Sequence, residues 1–194
     1  MNSAFLTDTE VRALGFAHVG RNVRVHCTAV LVNCGAMSLG DNIRIDPFVL
    51  ISAGDEVRIG RNVHIAAYVS IVGAGSVELE DFVGLAQGVR LLLATDDFSG
   101  EHLTGPTVPD RFKAVRAAPV RIGRHTVVGA GTVILPGCNI GEGVSVGALS
   151  LVNQPLEPWR IYVGAPARAI RERSRNLLEL EKLYIDEDRP SEAD

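Results

Sequence analysis

The sequence is poor in aromatic residues, in cysteine and in long hydrophobic runs. Aromatics make up 5% of it although apolar residues reach 46%, so the apolar content is Val, Ile, Leu and Ala, accompanied by 20 Gly. That mixture excludes a core of large aromatic layers and suits many short strands joined by tight corners. The cysteines, Cys27, Cys34 and Cys138, form no CxxC pair, which argues against a disulfide framework or a thiolate zinc site and for a reducing, cytoplasmic setting. Apolar runs are short and broken by Gly, Asp or Arg, so no membrane span is expected. The opening MNSAFLTDTEV lacks the basic region and apolar stretch of a signal peptide. Basic residues are not in excess: the net charge is -4, which argues against nucleic acid or an anionic membrane as the main partner.

What the chain does have is a repeat. Residues 39–98 divide into three blocks of twenty that align without gaps, and residues 19–38 fit the same frame. Aliphatic residues recur every six: Leu39, Ile45 and Ile51, then Ile59, Ile65 and Ile71, then Leu79, Leu85 and Leu91. A second inward set follows four residues later, as at Ile43, Val49, Val63, Val69, Val83 and Val89. A period of six is neither helical nor alternating; it describes one short strand and one corner. Three such units make one coil of eighteen residues, and coils must stack because one alone cannot bury its apolar face. The two extra residues per block, as in Gly73-Ala74-Gly75-Ser76, should bulge at one edge. After an interruption the strict period returns at Ile122, Val128, Ile134, Ile140 and Val146, with Thr132, Cys138, Val144 and Ser150 as the second set. Cys138 is therefore expected in the core.

The predicted architecture is all-β: a parallel β-helix with a protruding loop and a C-terminal α-helix. Residues 1–18 form an N-terminal cap, with a short helix within 1–15; residues 19–168 form the β-helix; residues 169–194 form a helix and tail. Residues 95–119 break the repeat, are polar and rich in Pro and Gly, and carry little strand signal. A loop that long leaving a regular prism suggests a functional element that reaches across a groove or a neighbouring subunit. An amphipathic helix is expected over 170–184, with Leu177, Leu178 and Leu180 supplying its apolar surface.

The stretch from Ile122 through YVGAPARAIRE resembles the hexapeptide-repeat acyltransferases, and its closing piece is similar to the ending of galactoside and maltose acetyltransferases. The resemblance implies a left-handed coil, a homotrimer with active sites between adjacent prisms, and acetyl-CoA as co-substrate lying along the groove. It implies acetyl transfer to a hydroxyl or amino group of a sugar or nucleotide-linked sugar. DDFSG and VGALSLV resemble members associated with surface polysaccharide or O-antigen modification. Serine or an antibiotic as acceptor, and a non-catalytic scaffold, remain alternatives.

Acyl transfer from a thioester needs a positioned nucleophile, a proton acceptor and donors for the oxyanion. In the galactoside acetyltransferase pattern a His at the loop root is the base; here that position is Asp96, beside Asp97. Either an acidic residue serves an already reactive amine, or another His acts. His64 is the preferred His: it precedes the inward Ile65, should point out of the prism, and should stack between Arg44 and Gly84. A plain surface or interface His competes with that reading, as solvated turn residues do for the Asp pair. His102 in the loop and an outward-facing His125 are weaker candidates, and His18 and His26 weaker still. The resemblance implies cofactor contacts at Ala130 and Ala148, where small side chains admit a ligand to the backbone. It implies phosphate contacts at Arg168 and Arg171, whose planar forks suit phosphate. Asn153 and Gln154 stand where a relative has Thr-Lys, removing one cation. No metal is required for this chemistry, and Trp159 is expected to pack rather than bind.

Overall fold

The computed structural model describes residues 4–187. They form a left-handed parallel β-helix of about seven turns, a prism with three sheet faces. The first face begins with His18–Val19 and ends with Asn139–Ile140; the second runs from Arg24–Val25 to Arg168–Glu172; the third from Val30–Leu31 to Leu151–Val152. Stacking registers follow the repeat. Arg44 lies opposite His64 and Leu50 opposite Ser70, a step of twenty, whereas Val127 lies opposite Ser145 and Val133 opposite Leu151, a step of eighteen. The two extra residues of the longer coils sit at the corner between the third and first faces, where the Gly54 amide donates to the Gly73 carbonyl at 2.8 Å.

The residues at period six line the prism axis. Ile45, Ile51, Ile65, Ile71, Leu91, Ile122, Val128 and Ile134 are fully buried. Because neighbouring coils lie one strand spacing apart, these side chains form continuous vertical stacks. Polar inward residues satisfy themselves locally: the Thr132 hydroxyl donates to the Gly147 carbonyl at 3.1 Å and the Ser150 hydroxyl to the same oxygen at 2.7 Å. Cys138 is buried as expected, its thiol directed at the Val152 carbonyl. The predicted short N-terminal helix is α1 (Asp8–Ala13), closed by a reciprocal cap between Thr7 and Glu10 and burying Val11 against the first coil.

Several expectations fail. Residues 170–172, assigned to a helix by their periodicity, belong instead to the strand Arg168–Glu172, antiparallel to Arg160–Val163. The last coil offers an open edge of unpaired amides and carbonyls, and pairing with it outweighs a short segment's helical preference. The helix α2 follows at Leu177–Glu187. Leu180 does not face the prism but is 66% exposed, and the buried residue of α2 is Glu181. The interruption also differs from the expected structureless loop. Ala94–Thr95 pairs antiparallel with Arg116–Ala117, and the Leu103 amide donates to the Phe112 carbonyl, so the segment is a folded arm.

α2 is held by polar contacts. His125 Nε2 lies 2.9 Å from Glu181 Oε2, Arg124 bonds the other carboxylate oxygen, and the His125 ring stacks on Phe82 at 4.9 Å. His125 is thus covered by α2 instead of facing outward. Arg173 donates to the His125 and Gly143 carbonyls. Burial, with the Arg124 and Arg173 guanidinium groups, holds the His125 pKa below its ordinary value, while the Glu142 and Asp81 carboxylates pull the other way. Neutral His125 therefore donates its Nε2 proton to Glu181. Among the described residues no helix is long and apolar enough to cross a membrane.

Two predictions follow from this packing. At Gly123 a Cβ would stand 2.6 Å from the Glu142 amide nitrogen, backbone that cannot yield without parting two coils. Gly123→Ala should lower unfolding free energy by about 1–3 kcal/mol in denaturant titration. For His125, the unfolded side chain takes up a proton near pH 6.5 while the folded one resists it, so stability is full above that pH and lost as pH falls below it. The melting temperature should drop on acidification from about pH 7.5 to 5.5, and His125→Gln, which keeps a donor to Glu181 without titrating, should flatten that slope.

Candidate functional site

His64 begins its strand on the second face, and its neighbours in register are Arg44 below and Gly84 above. The inward Ile65 forces the His64 side chain out, where it stays 51% exposed. Its Nε2 lies 2.8 Å from Asp46 Oδ2, and Arg44 Nε donates to Asp46 Oδ1 at 2.7 Å. Burial opposes ionisation of Asp46, but hydrogen bonds from His64 and Arg44 outweigh it and its pKa lies below the ordinary carboxylate value. A carboxylate only accepts, so the neutral His64 carries its proton on Nε2 and presents Nδ1 as the basic atom. Asp46 escaped the sequence reading, although a signal existed: the residues stacked above it in successive coils are Ala66 and Ala86.

Asp96 and Asp97 stand at the root of the arm and have separate roles. Asp97 is spent on the arm itself, accepting from the Ser99 amide at 2.8 Å and from the His102 amide, with His102 Nδ1 3.0 Å away. The Ser99 and His102 contacts hold its pKa well below the usual carboxylate range. That also gives His102 a partner within the arm. Asp96 instead lines a cleft of about 240 Å³ with Thr95, Gly105, Pro106 and Lys113. Its carboxylate has no hydrogen-bond partner among the described residues. Lys113, also missed from sequence, is largely buried there, with its ammonium on Asp110 at 3.0 Å.

Within one chain these two groups stay apart. The arm leaves the corner between the third and first faces, opposite the second face that carries His64. The candidate cofactor residues divide likewise. Ala130 and Ala148 stack in successive coils at the corner between the second and third faces, the Leu149 amide donating to the Ala130 carbonyl at 2.8 Å. Asn153 and Gln154 are exposed at the far end of the third face. Arg168 and Arg171 are exposed on the terminal strand of the second face. Trp159 packs at the end of the prism beneath the Arg175 guanidinium. Grooves of about 460 and 550 Å³ along the first face include His18, the weakly favoured candidate, but none of the other expected site residues, and Arg121 there is paired with Glu78 and Glu80.

Comparison with known proteins gives this geometry a context. Residues 119–154 match the family model described as bacterial transferase hexapeptide, six repeats. The chain is 36% identical over 182 residues to the dTDP-4-amino-4,6-dideoxy-D-glucose acyltransferase of Escherichia coli, covering 93% of this chain and 95% of that protein. It is 30% identical over 138 residues to the galactoside O-acetyltransferase of Escherichia coli K12, covering 70% of this chain and 63% of the relative. The crystal structure of AntD, an N-acyltransferase from Bacillus cereus in complex with dTDP and 3-hydroxybutyryl-CoA, superposes with a TM-score of 0.92 at 40% identity, covering 96% of this chain and 98% of that one.

Proposed function

The chain belongs to the hexapeptide-repeat acyltransferases, and from that membership we propose that it moves an acyl group from acyl-CoA to the amino group of a dTDP-linked amino sugar. The observation that carries this reading is the unpartnered Asp96 carboxylate in the cleft at the arm's root, where the galactoside acetyltransferase pattern has a His. An alcohol must lose its proton as it attacks, which calls for a base matched to neutral pH, and a carboxylate is poorly matched to that task. An amine needs only to be held and relieved of its extra proton, and a carboxylate does both. The amine lone pair attacks the thioester carbonyl, the C–N bond forms, the C–S bond breaks, and CoA leaves as the thiol with the amine's remaining surplus proton.

A homotrimer supports the geometry. His64 and Asp96 can line one groove only if they come from different copies, because one prism holds them on opposite sides. The arm exposes Phe98 at 91%, together with Leu103, Phe112 and Val115, an apolar set suited to lying on a neighbour. In that groove the pantetheine passes Ala130 and Ala148, with Arg168 and Arg171 toward the cofactor's phosphates and Asn153 and Gln154 near them. Acyl-CoA and nucleotide sugars suit a cytoplasmic reaction, and the product class suits surface polysaccharide assembly. The His64–Asp46 pair favours one second reading, transfer to a sugar hydroxyl with His64 Nδ1 as base.

Thiol release from acetyl-CoA and 3-hydroxybutyryl-CoA against dTDP-4-amino-4,6-dideoxyglucose, a galactoside and serine separates the two. Turnover is expected with the amino sugar nucleotide alone. Asp96→Asn should cut kcat/KM by about 10²–10³-fold and His64→Gln by less than about tenfold. Turnover of the galactoside alone, abolished by His64→Gln, would establish hydroxyl transfer and sink the amine reading.

A further inference from the structure

Resting on the nucleotide-sugar reading above, we propose that the exposed aromatic pair Phe48–Tyr68 seats the nucleotide's pyrimidine base, with Arg44 and His64 beside its diphosphate. The two rings stack with centroids 5.1 Å apart and planes 18° from parallel, and the residues are 54% and 63% exposed. Both occupy the left-handed region, at φ 59 and 62, a conformation bulky side chains avoid. The same corner uses Gly88 and Gly131 in the next two coils, the unstrained choice, and Leu149 in the coil after them. Two coils therefore hold rings in a costly conformation and leave them in solvent, an arrangement that nothing inside the prism offsets.

The geometry also gives a third ring somewhere to lie. A Cβ at Gly88 would meet nothing closer than the Gly131 amide nitrogen at 4.0 Å, so the upper face of Tyr68 is open. A planar base on that face continues the stack at the spacing of the coils. Gln87, exposed at the same level, carries an amide that can both donate to and accept from a base edge. On the same two coils, and joined through Asp46, lie His64 and Arg44, the latter 50% exposed with its guanidinium over the Phe5 ring. Asp46 itself is largely buried beneath them, so the Arg44 guanidinium and the His64 ring meet the phosphates first. Under this assignment His64 binds and does not transfer a proton, as an amine acceptor permits.

Calorimetric titration of the assembled protein with dTDP, and separately with CoA, tests the assignment. Tyr68→Ala and Tyr68→Leu should each weaken dTDP by about 10- to 100-fold, Tyr68→Phe by less than about threefold, all leaving CoA affinity and assembly mass unchanged. Tyr68→Leu keeps apolar bulk without a flat face, so it also stands in should the alanine variant fold poorly. Undiminished dTDP affinity in both variants overturns the inference alone. Loss of assembly together with both ligands assigns the rings to a subunit contact and overturns it too. Wild-type protein that binds CoA but no dTDP defeats the inference and the nucleotide-sugar reading together.

Discussion

Every coil of the prism depends on the coil beside it. Its backbone amides and carbonyls point along the axis, and its aliphatic face is too narrow to close on itself, so hydrogen bonding and burial are both satisfied by stacking. The 25-residue arm shows how strong that constraint is. The chain leaves the third face after Leu92, builds a separate structure, and returns with Val120 opposite Val77, with the inward Ile122 directly over Leu79. An insertion at a corner costs the stack nothing so long as the next strand re-enters in register.

Stacking also organises function. Residues at equivalent positions in successive coils lie above one another, so a site here is a vertical strip, and its chemistry is set by which rungs depart from the rule. Asp46 lies where Ala66 and Ala86 follow, Phe48 and Tyr68 where Gly88 and Gly131 follow. A strip on a convex prism has no walls. It becomes a groove when a second prism or an arm lies against it, and exposed apolar residues on the arm and along one corner are placed for that contact.

This regularity decided what could be read from sequence. Inward positions, the change from twenty to eighteen residues per coil, the bulging corner and the neighbours of His64 all follow from counting, because each depends on the period alone. What was not legible depends on groups that the period does not relate. The strand at 168–172 formed because a sheet edge was open above it, a fact of three dimensions that a helical pattern in one dimension cannot register. Glu181, and not the expected Leu180, is buried because Arg124 and His125 offer its carboxylate partners. Asp96 and Asp97 looked equivalent as an acidic pair, and only the turn at Ser99 and His102 shows that one is engaged and the other free.

If Asp96 acts where the galactoside acetyltransferase pattern has a His, as proposed, the burden of catalysis shifts. With an alcohol acceptor the protein must create the nucleophile, and a matched base is needed to do so. With an amine the nucleophile arrives nearly ready, and what remains is to hold it against the thioester and strip its proton and water. Binding energy for that positioning has to come from parts of the substrate remote from the reacting atoms. A nucleotide supplies such a handle, and a prism that stacks identical coils supplies a long strip to grip it. Under the proposed amine transfer, the free carboxylate and the exposed aromatic ladder would be two halves of one solution, in which recognition of the distant base supplies the positioning that the reaction needs.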